Sequence, residues 1–115
     1  MIRERLERVH DLRQRKLSLS QSRSPQWPKV RAKFLKEFPT CQVCDGIKKL
    51  QVHHIRPVHV WPELELSPAN LITLCEASGN HHLWTGHLGS FQSWNIDVIN
   101  DAANWHTKIT ERPYA

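Results

Sequence analysis

The run Cys41-Gln42-Val43-Cys44, followed by Cys75 and then by His81-His82, restricts what this chain can fold into more than any other feature. Two thiolates separated by two residues form a knuckle that curls backbone around a zinc ion, and a tetrahedral structural site wants four protein ligands. No fourth cysteine exists, so the last ligand is His81 or His82, and we assign His81. The fold must then bring residues 41, 44, 75 and 81 to one point. Three cysteines cannot all pair within the chain, and a redox reading of Cys-x-x-Cys needs a βαβ context that is absent here. This usage fits a reducing, intracellular setting.

A second cluster lies between the knuckle and Cys75. Val52-His53-His54-Ile55-Arg56-Pro57 sets two adjacent histidines in a short apolar run, where each buried imidazole needs a polar partner. His82 and His87 follow downstream. A single zinc needs only four ligands, so the surplus histidines favour a catalytic site over a purely structural one. Neighbouring strand residues point to opposite faces, so His53 and His54 divide the work. An imidazole can accept a proton near neutral pH, so one histidine beside a Lewis-acidic metal is suited to hydrolytic chemistry. Arg56 either contacts a substrate phosphate or faces solvent.

The elements that would carry these residues are short. Trp27, Val30, Phe34, Leu35 and Phe38 share one face of a helix over 27–38, with Ser24 as N-cap, Pro25 in its first turn and Pro39 as its stop. Residues 49–55 and 70–75 read as strands, and Pro57, Pro62 and Pro68 make the connection an extended loop. The stretch 81–87 opens a short helix limited by Gly86 and Gly89. His82 and His87 are five apart and would diverge on a regular helix, so His87 is a ligand only if the helix is distorted near Gly86. From Asp97 a longer helix carries the stripe Val98, Ala102, Trp105 and Ile109, read as core, and stops at Pro113.

Charge divides the chain differently. Of the net +5, residues 1–40 carry eleven Lys/Arg against four Asp/Glu, and residues 41–115 carry five against seven. The segment 1–23 reads as a basic N-terminal arm or helix and linker, and 24–115 as one small metal-stabilised domain. Arg3, Arg5, Arg8, Arg13, Arg15 and Lys16 would neutralise phosphates of a polyanion and release its counterions. No apolar run approaches the roughly 20 residues needed to cross a bilayer.

Together, Trp-Pro-Lys-Val-Arg at 27–31, Cys-Gln-Val-Cys, Val-His-His-Ile, Asn-Leu-Ile-Thr-Leu-Cys at 70–75, Gly-His-Leu at 86–88 and Ser-Trp-Asn at 93–95 resemble the HNH endonuclease family, in the order of its small phage-type members. The resemblance spans roughly residues 24–112. It implies an α+β fold with a ββα-metal core, a zinc knuckle and flanking helices. It also implies a metal-dependent DNA endonuclease, nicking or cutting both strands, whose product carries a 5′-phosphate. His54 would be the general base, His53 and His82 ligands of the catalytic metal, and Asn70 the residue that steadies the histidine-bearing loop. Related sequences usually place a cysteine where this chain has His81, and imidazole can take that position in a zinc site. The cofactors expected are a structural Zn2+ and a catalytic Mn2+, Ni2+, Co2+ or Mg2+. DNA is the expected partner, and a homodimer or a terminase-type phage partner is left open. The rival readings are a non-catalytic zinc-stabilised DNA-binding module and a subunit of a phage packaging machine.

Overall fold

The structure, a computed structural model, describes residues 23–111, so the basic residues from Arg3 to Lys16 and the helix stop at Pro113 lie outside the described residues. The architecture is α+β, as expected. Helix α1 (Trp27–Glu37) leads through the cysteine knuckle into strand β1 (Leu50–His54). Two 3-10 turns, Pro62–Leu64 and Pro68–Asn70, punctuate the loop to β2 (Leu71–Cys75). A π-helical turn, His82–Gly86, and helix α2 (Val98–Thr110) complete the order. Relative to the sequence reading, β1 is shorter by one residue at each end and β2 by one at its start.

The strands form one antiparallel pair with His53 opposite Ile72 and Leu50 opposite Cys75. All five residues of β2 are buried, because the strand is covered on both sides. On one side Leu71 and Val52 pack against Phe34 of α1. On the other, Ile72 and Leu74 join Val98 and Ala102 of α2 and the cysteines in a single cluster. A two-stranded sheet alone could not bury this much apolar surface, so the helices and the knuckle share the core with it.

Helix ends depart from the expected signals. Gln26 is the N-cap of α1, with Pro28 in its first turn. Ser24 instead closes the turn before it, its Oγ accepting the Gln26 N–H at 3.1 Å and its carbonyl the Trp27 N–H at 3.0 Å. Phe38 is 44% exposed, and the stripe on α2 enters the core only as far as Val98 and Ala102. Trp105 and Ile109 are exposed because α2 runs past the edge of this small core. His106 ties that outer half to the knuckle through a 2.8 Å contact with Asp45.

Candidate active site

The four knuckle residues converge. The ligand atoms of Cys41, Cys44, Cys75 and His81 all lie within 4.8 Å of one another. Cys75 Sγ is 3.3 Å from His81 Nδ1, Cys41 Sγ is 3.7 Å from the same nitrogen, and Cys44 Sγ is 3.9 Å from Cys75 Sγ. The edges of a tetrahedron around zinc are about 3.8 Å between sulfurs and about 3.6 Å from sulfur to nitrogen, given the usual bond lengths. Cluster and ion therefore match in size. Gly79 makes room for His81, since a Cβ there would stand 2.8 Å from the imidazole ring.

The thiols are electrostatically incomplete without a cation. Burial pushes Cys44 up to about 11 against a hydrogen bond from the Gly46 backbone, and the neighbouring Cys41 and Cys75 add to the rise. Cys75 moves down: burial raises it, but the backbone N–H groups of His81 and Ala77 and the Cys41 and Cys44 thiols outweigh that. The Cys75 thiolate is favoured while Cys44 is discouraged from ionising, and a bound divalent metal would remove that conflict. This Cys3His set could hold a metal ion, and its donor chemistry fits zinc.

A second group forms around His53 of β1. His53, His82 and His87 also bring their ring nitrogens within 4.8 Å of one another. The five-residue spacing of the last two is resolved by the π-helical turn. The His87 N–H reaches His82 O at 3.1 Å, an i to i+5 bond, which sets both imidazoles on one side with their Nε2 atoms 3.2 Å apart. His87 Nδ1 donates to the Ser93 carbonyl at 2.8 Å, so its Nε2 carries the lone pair. Two nitrogens bound to one metal at about 2.0 to 2.1 Å stand about 3.0 to 3.4 Å apart, and these two fit. His82 would then be protonated on Nδ1, the atom 3.8 Å from Glu76 Oε1.

His53 completes the set from β1. Its Nε2 is buried without a hydrogen-bond partner, a costly condition that a metal would relieve. Burial, then the neighbouring His82 and His87, push its pKa down to about 3, so the ring is neutral and ready to bind a cation. Gly86 permits the arrangement: a Cβ there would lie 3.0 Å from Leu74 Cδ1 and 3.2 Å from the His53 ring. Gly86→Ala should lower stability by about 1 to 3 kcal/mol through overpacking and displace the His53 ring. Thermal unfolding and a calorimetric metal titration check this, and unchanged values in both would show that the close approach does not matter.

His54 faces a different set of neighbours. Its ring lies 4.4 Å from that of Trp27, and its Nε2 is 2.9 Å from the Glu65 carbonyl. A carbonyl only accepts, so Nε2 bears the proton and Nδ1 keeps the lone pair. Burial lowers the pKa of His54, the Glu65 hydrogen bond opposes this, and the charge of Arg23 adds to the lowering. The imidazole is therefore neutral at pH 7. Asn70 fixes the turn beyond it by accepting the Arg56 N–H at 2.9 Å and donating to the Arg56 carbonyl at 3.0 Å.

His53, His54, His82 and His87 line one cleft of about 1010 Å³. Arg56 is not among its lining residues, because its guanidinium lies over the Trp61 ring, 4.8 Å from the centroid. Three residues to which sequence reading gave no role in the site shape the surroundings. Glu65 holds His54 by its carbonyl and accepts the Ser24 N–H with its buried carboxylate. Arg23 lines the cleft. Asn95 binds the π-helical turn to the start of α2 through Thr85 O and Asp101 Oδ2.

This arrangement, a cysteine knuckle, an antiparallel pair and histidines at the end of its first strand, agrees with the comparison against known families. Residues 41–77 match the HNH endonuclease family. The match covers the knuckle, β1, Asn70 and β2, and it points to nuclease activity in general. The HNH segment ends before His81, His82 and His87, so their convergence with it is a property of the three-dimensional structure. No curated protein and no solved structure gives a significant match. Among the described residues no helix is long and apolar enough to cross a membrane.

Proposed function

We propose that this protein is a metal-dependent DNA endonuclease in which residues 24–115 form the nuclease domain. The observation that carries the reading is the meeting, in one cleft, of three imidazoles whose nitrogens fit a single metal with a fourth, His54, held neutral and oriented. His53, His82 and His87 would hold the catalytic metal, and Cys41, Cys44, Cys75 and His81 a structural zinc. When bound, the catalytic metal supplies Lewis-acid stabilisation of negative charge at the phosphate and the leaving oxygen.

The chain's own residues supply the rest. His54 Nδ1 takes a proton from a water as its oxygen bonds to phosphorus. The bond from phosphorus to the 3′ oxygen breaks, that oxygen takes a proton from solvent water, and the products are a 5′-phosphate and a 3′-hydroxyl. Glu65 O and Trp27 keep the imidazole in register, and Asn70 prevents the following turn from relaxing. The experiment is cleavage of supercoiled plasmid by purified protein with a divalent metal. Cutting that a chelator abolishes supports the proposal, and plasmid left intact with every metal tested would refute it in favour of a non-catalytic DNA-binding module.

The donor set also orders the metals. Imidazole nitrogens suit Mn2+, Co2+ and Ni2+, whereas Mg2+ prefers oxygens. Cleavage should therefore begin at lower concentrations of these ions than of Mg2+, and His53→Asp should shift the preference toward Mg2+. A titration in which Mg2+ acts at the lowest concentration and His53→Asp changes nothing would remove His53 from the ligand set. Arg3, Arg5, Arg8, Arg13, Arg15 and Lys16 would grip the duplex outside the cleft. Deleting residues 1–20 should flatten the salt dependence of DNA binding, and an unchanged slope would exclude them from the interface.

A further inference from the structure

We propose that Arg23 is the phosphate-gripping cation of the cleft, a catalytic residue acting opposite the metal. The inference rests on the nuclease reading and adds to it. A phosphodiester entering the cleft brings negative charge that grows during attack, and fixed cations at that position contribute heavily to catalysis. Among the described residues lining the cleft, Arg23 is the one lysine or arginine. Arg56, the arginine nearest in sequence to the histidines, lies over Trp61 instead.

Arg23 is held by the same two residues that hold His54. Its guanidinium lies over the Trp27 ring, 5.5 Å from the centroid, and Trp27 stacks on His54 at 4.4 Å. Its Nε is 3.9 Å from Glu65 Oε2, while the Glu65 carbonyl takes the His54 hydrogen bond at 2.9 Å. Cation and imidazole thus share Trp27 and Glu65 as a scaffold.

Glu65 pairs with Arg23 at long range without occupying its hydrogen-bond donors. Its carboxylate oxygens accept the Ser24 N–H at 3.1 and 3.3 Å, and the contact to Arg23 is too long for a hydrogen bond. The Arg23 side chain remains 51% exposed. A planar guanidinium with five donors can grip two phosphate oxygens at once, which an ammonium cannot. In sequence, Arg23 directly follows the segment that carries the basic arm.

The test compares the full-length parent with Arg23→Ala, Arg23→Gln and Arg23→Lys. Plasmid cleavage is measured with Mn2+, and DNA affinity against salt with the catalytic metal omitted; zinc content and circular dichroism establish that each variant is folded. Arg23→Ala and Arg23→Gln should lose about 100-fold in kcat and lower the salt slope by about one unit. Arg23→Lys should be intermediate, and free guanidinium should restore part of the cleavage to Arg23→Ala. Cleavage and slope that both match the parent would overturn the proposal. So would a loss of cleavage that guanidinium fails to restore while the slope is unchanged, because that pattern belongs to a residue that merely braces the fold. A parent that binds DNA but never cuts it would sink the nuclease reading instead, and the slope alone would then decide the role of Arg23.

Discussion

Replacing His54 by Ala should reduce cleavage by about 10²- to 10⁴-fold, the usual contribution of a positioned base, while leaving zinc content and DNA affinity close to those of the parent. The expectation follows from how the ring is held. Glu65 O fixes which nitrogen carries the proton, Trp27 fixes the plane, and neither contact belongs to the Cys3His cluster or to the three-histidine group. The alanine variant should lose a little stability from the missing stack on Trp27, and no metal ligand. The pH profile gives a second check. Burial lowers the pKa of His54 from its ordinary 6.5, so the base is already neutral at pH 7. Activity should therefore sit on a plateau there and fall only as pH drops through a midpoint below 6.5. A parent profile still rising steeply above pH 7, or an alanine variant within a few-fold of the parent, would mean that another group takes the proton.

The parts of this site that were legible in the sequence are those whose geometry is local. Cys41 and Cys44 lie on one turn, and residues 49–55 and 70–75 alternate or run apolar as strands do, so their pairing at the knuckle followed from chemistry and pattern. His87 could not be placed because its position depends on the hydrogen-bond period of the backbone. A regular turn separates residues five apart, whereas the π-helical turn brings His82 and His87 together. Gly86 marked where that distortion would have to lie, and a residue without Cβ is needed there because the His53 ring meets the turn. Glu65 and Arg23 carried no local signal at all. Each is a charged residue in a polar or proline-rich stretch, and their meeting depends on a contact 41 residues apart in sequence, from Ser24 to Glu65. Trp105 and Ile109 show the opposite failure: their helical spacing is sound, but the core they would join ends one turn earlier.

Cys75→Ser should cost the protein its fold as well as its zinc. Cys75 is 1% exposed, it ends a fully buried strand, and it packs in the same cluster as Leu74, Val98 and Ala102. Its Sγ approaches both His81 Nδ1 and Cys44 Sγ, so it sits between ligands from the knuckle and from the turn before His82. A serine hydroxyl does not ionise near neutral pH, and its oxygen is a harder, shorter donor than a thiolate, so the tetrahedron cannot close. Structural zinc contributes apparent binding energies of about 10 to 16 kcal/mol in small domains, comparable with the whole stability of a typical protein. Even a partial loss of about 4 kcal/mol would lower the thermal midpoint by about 20 °C for a domain of this size. The comparison variant is His87→Ala, which removes a nitrogen from the three-histidine group and leaves the Cys3His cluster intact. His87→Ala should keep its zinc and unfold near the parent's midpoint, whereas Cys75→Ser should bind less than one zinc and show a broad or absent transition. Thermal unfolding by circular dichroism, paired with zinc content by atomic absorption, separates the two. If Cys75→Ser retains full zinc and the parent's midpoint, then the knuckle does not hold this fold together, and the stabilising role assigned to Cys41, Cys44, Cys75 and His81 is wrong.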